Sequence, residues 1–392
     1  MKEAHTFLKL LERIDEAEDV KRYRNNALEA MKTAPEIPFR QGLNIVVKPN
    51  FDFDALTPVF FKTSQKTIQH PDTVEIFSGT TIDKEFFEHN KQMLQEFFSE
   101  QWNDKEDNQV DFFNRACTND FLVIRIPPDT ILDKPIIIDN TLVGQNIHAL
   151  FIFVGKNAQA KILMNKYSDK HHYTAEIVRI IAEENSTFDF VSIQNLDKSS
   201  LCMQQRKAIC KKDSSVRWHD ICLGSYYMRS SIVSELKESG ASTNNTVLYL
   251  ENKDQLFDIY TASIHHAPYT LSDIVTKGVL FDEAKALSRG LVRIERAAVG
   301  SNGYEKQEAL LLSDKAEAHA IPNLEINNHD VKCSHGSSIG QLDMEKVFYL
   351  MSRGFTKEQA QKKIIEGYFA PVLELFEHSI KEKVYHSIIS SL

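Results

Sequence analysis

The chain has 392 residues, a formal charge of −9, 42% hydrophobic and 26% charged residues. This is the make-up of a globular protein with room for more than one domain. Scattered Lys and Arg argue against a nucleic-acid partner, and no apolar run approaches the roughly 18 residues that span a bilayer. Glu12, Asp15 and Glu16 argue against a secretory or transit leader, so a cytoplasmic protein is expected. Cys117, Cys202, Cys210, Cys222 and Cys333 form no Cys-x-x-Cys pair and read as free thiols in a reducing compartment.

In chain order, Phe7, Leu8, Leu10, Leu11 and Ile14 recur at helical spacing, as do Ala27, Leu28, Ala30 and Met31. The acidic run from Asp15 to Asp19 between them reads as solvated. Pro35, Pro38, Pro49 and Pro58 make 33–75 loop or extended edge, and Ile82 to Trp102 returns to helix with its aromatics in a core. From about Phe121 the runs Leu122-Val-Ile-Arg-Ile, Ile136-Ile-Ile, Leu150-Phe-Ile-Phe-Val, Glu176-Ile-Val-Arg-Ile-Ile and Phe188-Asp-Phe-Val-Ser-Ile are β-type. Polar turns at Gly155-Lys-Asn-Ala, Glu183-Glu-Asn-Ser, Lys212-Asp-Ser-Ser, Ser239-Gly-Ala-Ser and Asp282-Glu-Ala-Lys separate them. Several recur at intervals of roughly 26–29 residues, a spacing found in repeat architectures. With no helical pattern between the strands, a mainly β solenoid fits better than a βαβ fold. Periodicity alone leaves a jelly roll or sandwich open.

Near Leu342 the pattern turns helical again. Asp343 reads as an N-cap, Val347, Phe348, Leu350 and Met351 as an apolar face, and Gly354 as the residue after the C-cap. Thr356 with Gln359 reads as a capping box, followed by Ala360, Ile364 and Ile365. Pro371 is expected to open a third helix carrying Val372, Leu375, Phe376, Ile380, Val384 and Ile388. The resulting plan has three parts: a mostly helical 1–110, a β core at 111–340 and a helical 341–392.

Asp330, Cys333 and His335 fall within six positions of one another. An imidazole, a thiol and a carboxylate can together hold a borderline metal. At i and i+2 in a strand, Cys333 and His335 would face one side. The plainer readings are an inward core thiol, a solvated histidine in a polar turn, and Asp330 as a turn residue after Asn327-Asn328. Gly336-Ser-Ser-Ile-Gly340 formally matches a nucleophile elbow with Ser338 as nucleophile, but no apolar strand precedes it, and a turn into the terminal helices is the simpler expectation. No Gly-x-x-x-x-Gly-Lys-Ser/Thr occurs, so the chain is not expected to bind ATP through a phosphate loop. Adjacent residues in a strand face opposite ways, so neither His171-His172 nor His265-His266 is expected to chelate one ion.

Four segments together resemble the core of the SufB/SufD family of iron–sulfur cluster assembly scaffolds: His266-x-Pro-x-Thr-x-Ser272, Lys277-Gly-Val-Leu-Phe-Asp282, Leu310-Leu-Leu-Ser-Asp-Lys-Ala316 and Leu324-Glu-Ile-Asn-Asn-His-Asp-Val-Lys-Cys-Ser-His-Gly336. The resemblance covers roughly Asp111 to Phe376. It implies a right-handed parallel β-helix flanked by helical N- and C-terminal domains. It also implies a non-catalytic subunit that pairs with a SufB-like chain and docks a SufC-like ABC ATPase through its C-terminal helices, in a complex that builds clusters from iron, electrons and sulfur supplied by a cysteine desulfurase. Lys332-Cys-Ser-His335 and Gln307 look like the SufD-like branch rather than the SufB-like one, whose chains carry Glu-His-Glu-Ala and a sulfur-receiving cysteine there. Phe51-Asp-Phe-Asp-Ala-Leu departs from the family's usual Trp-Lys-Tyr-Thr segment. The implied site comprises His335 and Cys333 as iron or cluster ligands, with Val347, Phe348, Leu350 and Met351 facing the ATPase. Iron or a cluster is the expected cargo, nothing in the sequence indicates a flavin, and a homodimer through the same edges fits the same geometry. Two other classes compete. One is a β-helix carbohydrate-active enzyme with paired carboxylates, against which stand the missing export signal and the lack of an acid ladder. The other is a serine hydrolase using Ser338.

Overall fold

The computed structural model describes residues 16–35, 64–104, 107–142, 144–170, 173–374, 376 and 378–391. Its β-branched and aromatic runs become the rungs of two nine-stranded sheets that wind around one interior. One sheet holds β1 (Ser64–Gln69), β4 (Ile136–Leu142), β6 (Gln159–Tyr167), β8 (Thr187–Asn195), β10 (Ser215–Cys222), β12 (Ser242–Glu251), β14 (Leu271–Leu280), β16 (Asn302–Leu311) and β18 (Lys332–Gln341), in that order. The other runs from β2 (Glu75–Gly79) and β3 (Asp120–Ile126) through β5 (Gln145–Val154), β7 (Tyr173–Ala182), β9 (Leu201–Cys210), β11 (Tyr227–Leu236), β13 (Leu256–His265) and β15 (Lys285–Ile294) to β17 (Glu317–Ile326). The pairing is parallel except for β1 on β4 and β2 on β3. From β3 onward successive strands alternate between the sheets, so the chain is a parallel β-solenoid. The solenoid alternative was the correct one.

The polar turns between strands do specific work. Asn157, Asn185, Asp213 and Asp282 have φ between +49° and +58°, a region their short polar side chains tolerate. Asn157, Asn185 and Asp213 stack coil on coil, with Asn185 donating to Asn157 across 28 positions, while Asp282 accepts from the Lys253 N–H in a separate column of turns. The solenoid interior is apolar, with Leu122, Ile152, Phe190, Trp218 and Tyr249 in one cluster. A buried ionic cluster interrupts it. The buried Arg206 guanidinium lies 2.7 Å from Glu176 and 2.8 Å from Asp220, and Lys166 lies 2.9 Å from Glu176. Burial alone would raise the Glu176 carboxyl, but Arg206 and Lys166 hold it well below the usual range.

Helices cover both outer faces. Helix α1 (Glu18–Thr33) and the short helices α2 (Lys84–His89), α3 (Lys91–Phe97) and α4 (Gln109–Ala116) pack on the sheet that begins with β2. Arg229 on β11 fixes α4 through Asp111 at 2.9 Å. After the solenoid come α5 (Met344–Ser352), α6 (Lys357–Leu373) and α7 (His378–Ser391). Ile365, Phe369, Val372, Phe376, Ile380, Val384 and Ile388 from α6 and the segment through α7 cover Val191, Ile221, Leu248 and Val279 on the other sheet.

Several sequence expectations need correction. Glu16 is not solvated: it is buried against Arg24 at 2.8 Å, and Arg24 also donates to the Ala116 and Thr118 carbonyls. The helix expected over Ile82 to Trp102 is broken into α2, α3 and a 3₁₀ turn at Glu100–Trp102. Pro371 lies inside α6 rather than opening the next helix. Gly336 to Gly340 is strand, not turn, because the β16 ladder supplies hydrogen-bond partners that outweigh weak local propensity. The Asp343 N-cap, the Thr356–Gln359 capping box and the left-handed Gly354 are as expected. Phe7 to Ile14 and the Phe51 segment lie outside the described residues.

Candidate functional site

The last coil carries the residues singled out in the sequence. β18 pairs with β16 on one side, placing Cys333 over Gly303, His335 over Glu305 and Ser337 over Gln307. Gly303, Glu305 and Gln307 are buried, with their alternate neighbours more exposed, so this set points into the solenoid. Cys333 and His335 therefore share the inward side, as their spacing requires. Among the described residues no further coil covers them, and the interior opens here as a mouth.

Cys333 is half-buried against Ile274, Val292 and Leu324. Burial, and after it the Glu305 carboxyl, push its thiol up from the usual range. The thiol thus packs with the core at the edge of the mouth. Gly303 permits the approach: a Cβ there would stand 2.5 Å from Val292 and 3.4 Å from the Cys333 sulfur. His335 is exposed, and its ring has no hydrogen bond among the described residues. Asp330 does not join them. Its N–H donates to the Asn328 side chain and its carbonyl accepts from Gly300, which makes it the turn residue of the plainer reading. Among the described residues no three His, Cys, Asp or Glu side chains are already gathered into one metal-binding group.

Beneath this pair lies a residue that sequence reasoning missed. Glu305 is fully buried, yet among the described residues its Oε2 lies outside hydrogen-bond geometry of any donor, the Asn323 backbone N–H being the nearest influence on the carboxyl besides Gln307. Its Oε1 accepts from Gln307 Nε2 at 2.5 Å. Burial pushes its carboxyl up to about 7, against the lowering effect of Gln307 and the Asn323 backbone N–H. A Cβ at Gly290 would stand 1.5 Å from Oε1, so only glycine leaves the carboxyl this room. Nothing in the sequence marked it, since the turn spacing read there is shorter than the ladder offset that sets Glu305 beneath His335.

The other candidates separate cleanly. Ser338 lies in mid-strand, exposed, not on a strand-to-helix turn, so the elbow geometry is absent. His265 points inward to Thr270 and Ser272, at 2.7 and 2.8 Å, while His266 meets Glu235 outside, so that pair does not converge. His171 and His172 lie outside the described residues. On α5, Val347 is buried with Leu342 and Ala360, and Leu350 packs beside them. Val347 thus packs in the helix's own small core. Phe348 is 72% exposed, and Met344, Tyr349 and Met351 are exposed with it. No helix among the described residues is long and apolar enough to cross a membrane.

Residues 137–368 match the family model for the SUF system FeS cluster assembly SufBD core domain. The chain is 29% identical to iron–sulfur cluster assembly protein SufB of Bacillus subtilis over 195 residues, 50% of this chain and 42% of that protein. It is 26% identical to SufD of Escherichia coli over 234 residues, 59% of this chain and 55% of that protein. A SufBD family protein of Staphylococcus saprophyticus aligns over 289 residues at 26% identity, 72% of this chain and 62% of that protein. The chain thus spans between 42% and 62% of the length of these relatives.

Proposed function

We propose, from the premise that the chain belongs to the SufBD family of iron–sulfur cluster assembly proteins, that it is the SufD-like, non-catalytic subunit of a cytosolic SufBCD-type scaffold. One observation carries this reading: Cys333 and His335 stand side by side at an open solenoid mouth. A thiolate and a neutral imidazole are suitable donors for iron, the cargo. An unpaired parallel edge beside them offers a SufB-like chain backbone hydrogen bonds in register, so iron would be held where the two subunits meet. Gln307 and Lys332-Cys-Ser-His335 support the SufD-like branch. Sulfur would come from a cysteine desulfurase through the partner.

The three-part division at 1–110, 111–340 and 341–392 fits these roles, although β1 and β2 add the first region to the sheets. The C-terminal part presents Phe348 and Met351, with Met344 and Tyr349, as an apolar patch for the SufC-like ATPase. Phosphate chemistry would belong wholly to that partner.

The test is cluster reconstitution in the assembled complex, read as iron and sulfide content. His335→Ala should lower cluster yield sharply while changing stability by less than about 1 kcal/mol, because the ring is exposed. Normal yield from this variant would remove the site.

A further inference from the structure

We propose that Glu305 is a third donor of the mouth, its carboxylate binding a borderline divalent cation together with the Cys333 sulfur and the His335 imidazole. The inference rests on the mouth reading above and adds a residue to it. Glu305 sits directly beneath His335 in the ladder, and Gly303, two positions before it on the same inward face, sits beneath Cys333.

Other deep carboxylates of this fold have a cationic side chain: Glu176 and Asp220 share Arg206, Asp111 has Arg229, and Asp258 has Arg289. Glu305 is as buried as these, but among the described residues no cationic side chain reaches it and its Oε2 makes no hydrogen bond of good geometry, with only the Asn323 backbone N–H near it. A buried carboxylate left half-satisfied is costly unless something comes to it. Glu251 also lacks a hydrogen-bond partner among the described residues, but its ladder neighbour is Leu280, not a metal-ligand residue type.

The surroundings of Glu305 suit a ligand rather than a packing residue. Gln307 holds one oxygen, the outer-layer contact that orients a metal-binding carboxylate. Gly290 leaves room where any side chain would collide with it. Sulfur, nitrogen and oxygen donors together suit ferrous iron and its usual spectroscopic substitute, Co(II). The three are not yet gathered around one point. The exposed, unpinned His335 ring is the part that can move to close them, and water or a facing chain fills the remaining positions.

The experiment titrates the full-length chain with Co(II) under anaerobic reducing conditions. It follows the thiolate-to-cobalt charge-transfer band, with a melting curve for each variant. Wild type should give the band, and Cys333→Ser should lose it. Glu305→Gln keeps the shape and the Gln307 contact, so it should retain the band but bind about tenfold or more weakly. Should Glu305→Gln fail to fold, Glu305→Asp keeps the charge, shortens the reach and should also weaken cobalt. A band in wild type with unchanged affinity in the folded Glu305 variant overturns the Glu305 assignment alone. No band in wild type, or a band that survives Cys333→Ser, overturns the mouth reading and this inference with it.

Discussion

At its N-terminal end the solenoid is closed by strands that reverse direction: β1 lies antiparallel on β4 and β2 on β3, and Ile68, Val74 and Ile76 pack over the first coils. At the C-terminal end β17 and β18 keep the parallel sense, and Ile326 and Ile339 stay 40% and 41% exposed. A parallel ladder can be extended by another chain, whereas a reversed strand with a covered interior is a poorer template. The closed end serves the fold. The open end leaves backbone groups, two apolar side chains and the Cys333–His335 pair for something outside the chain.

The contrast is most strongly tested in the closed coils. Arg206→Ala would leave Glu176 and Asp220 buried with too little countercharge and should destabilise the chain by about 3–5 kcal/mol in chemical denaturation. If its loss cost no more than that of His335, the two regions would not differ as described.

How far the openness reaches is measured by pH. His265 lies two coils before the mouth, yet burial, with help from His266, pushes it down to about 4. His219, under the terminal helices against Phe376, is pushed to about 4 by burial and then Arg217. As pH falls through about 6.5 the unfolded chain takes up protons at these positions while the folded chain does not, so stability present above about 6.5 is lost towards 4. Each contributes at most about 3 kcal/mol to that loss. His265→Gln should flatten the wild-type slope between those pH values. An unchanged slope would mean that solvent already reaches His265 and that the mouth is deeper than described.

Much of the closed region was legible in the sequence, and less of the open end. Runs such as Leu150 to Val154 could only be strands, and Asn157, Asn185 and Asp213 marked their turns because few residues tolerate a left-handed backbone. β18 was hidden, since Gly336-Ser-Ser-Ile-Gly340 has almost no strand propensity and acquires its form from β16. Glu305 was hidden for a related reason. In Gly303-Tyr-Glu-Lys-Gln-Glu308 both faces are polar, so alternation could not say which side was inside. Glu16 was missed because its partner, Arg24, and the carbonyls that Arg24 binds come together only in the tertiary fold. Cys333 and His335 were legible from their motif, but their common direction needed the strand that the glycines concealed.

The open end itself is tested by Ile339→Lys. Ile339 lies over Ala309 at the unpaired edge, and a charge there would have to be desolvated on pairing. Co-purification with a SufB-like chain should weaken by about tenfold, the loss typical of an interface anchor, with little change in melting. Undiminished pairing would move the interface away from β18.

The smallest effect on the fold should come from the most exposed aromatic. Phe348 is 72% exposed while Val347, next to it, is buried in the helix's own small core, so the two divide one apolar stripe between inside and outside. Phe348→Asp should therefore change stability by no more than about 0.5 kcal/mol, as surface substitutions do. Val347→Asp should cost several times that, because it buries a charge. If Phe348 contacts the ATPase, the Asp variant loses the ATPase from the complex while pairing through β18 survives, because α5 and β18 present different surfaces. Full ATPase stoichiometry with Phe348→Asp would leave α5 without a partner role, and a large drop in melting temperature would make Phe348 part of the fold after all.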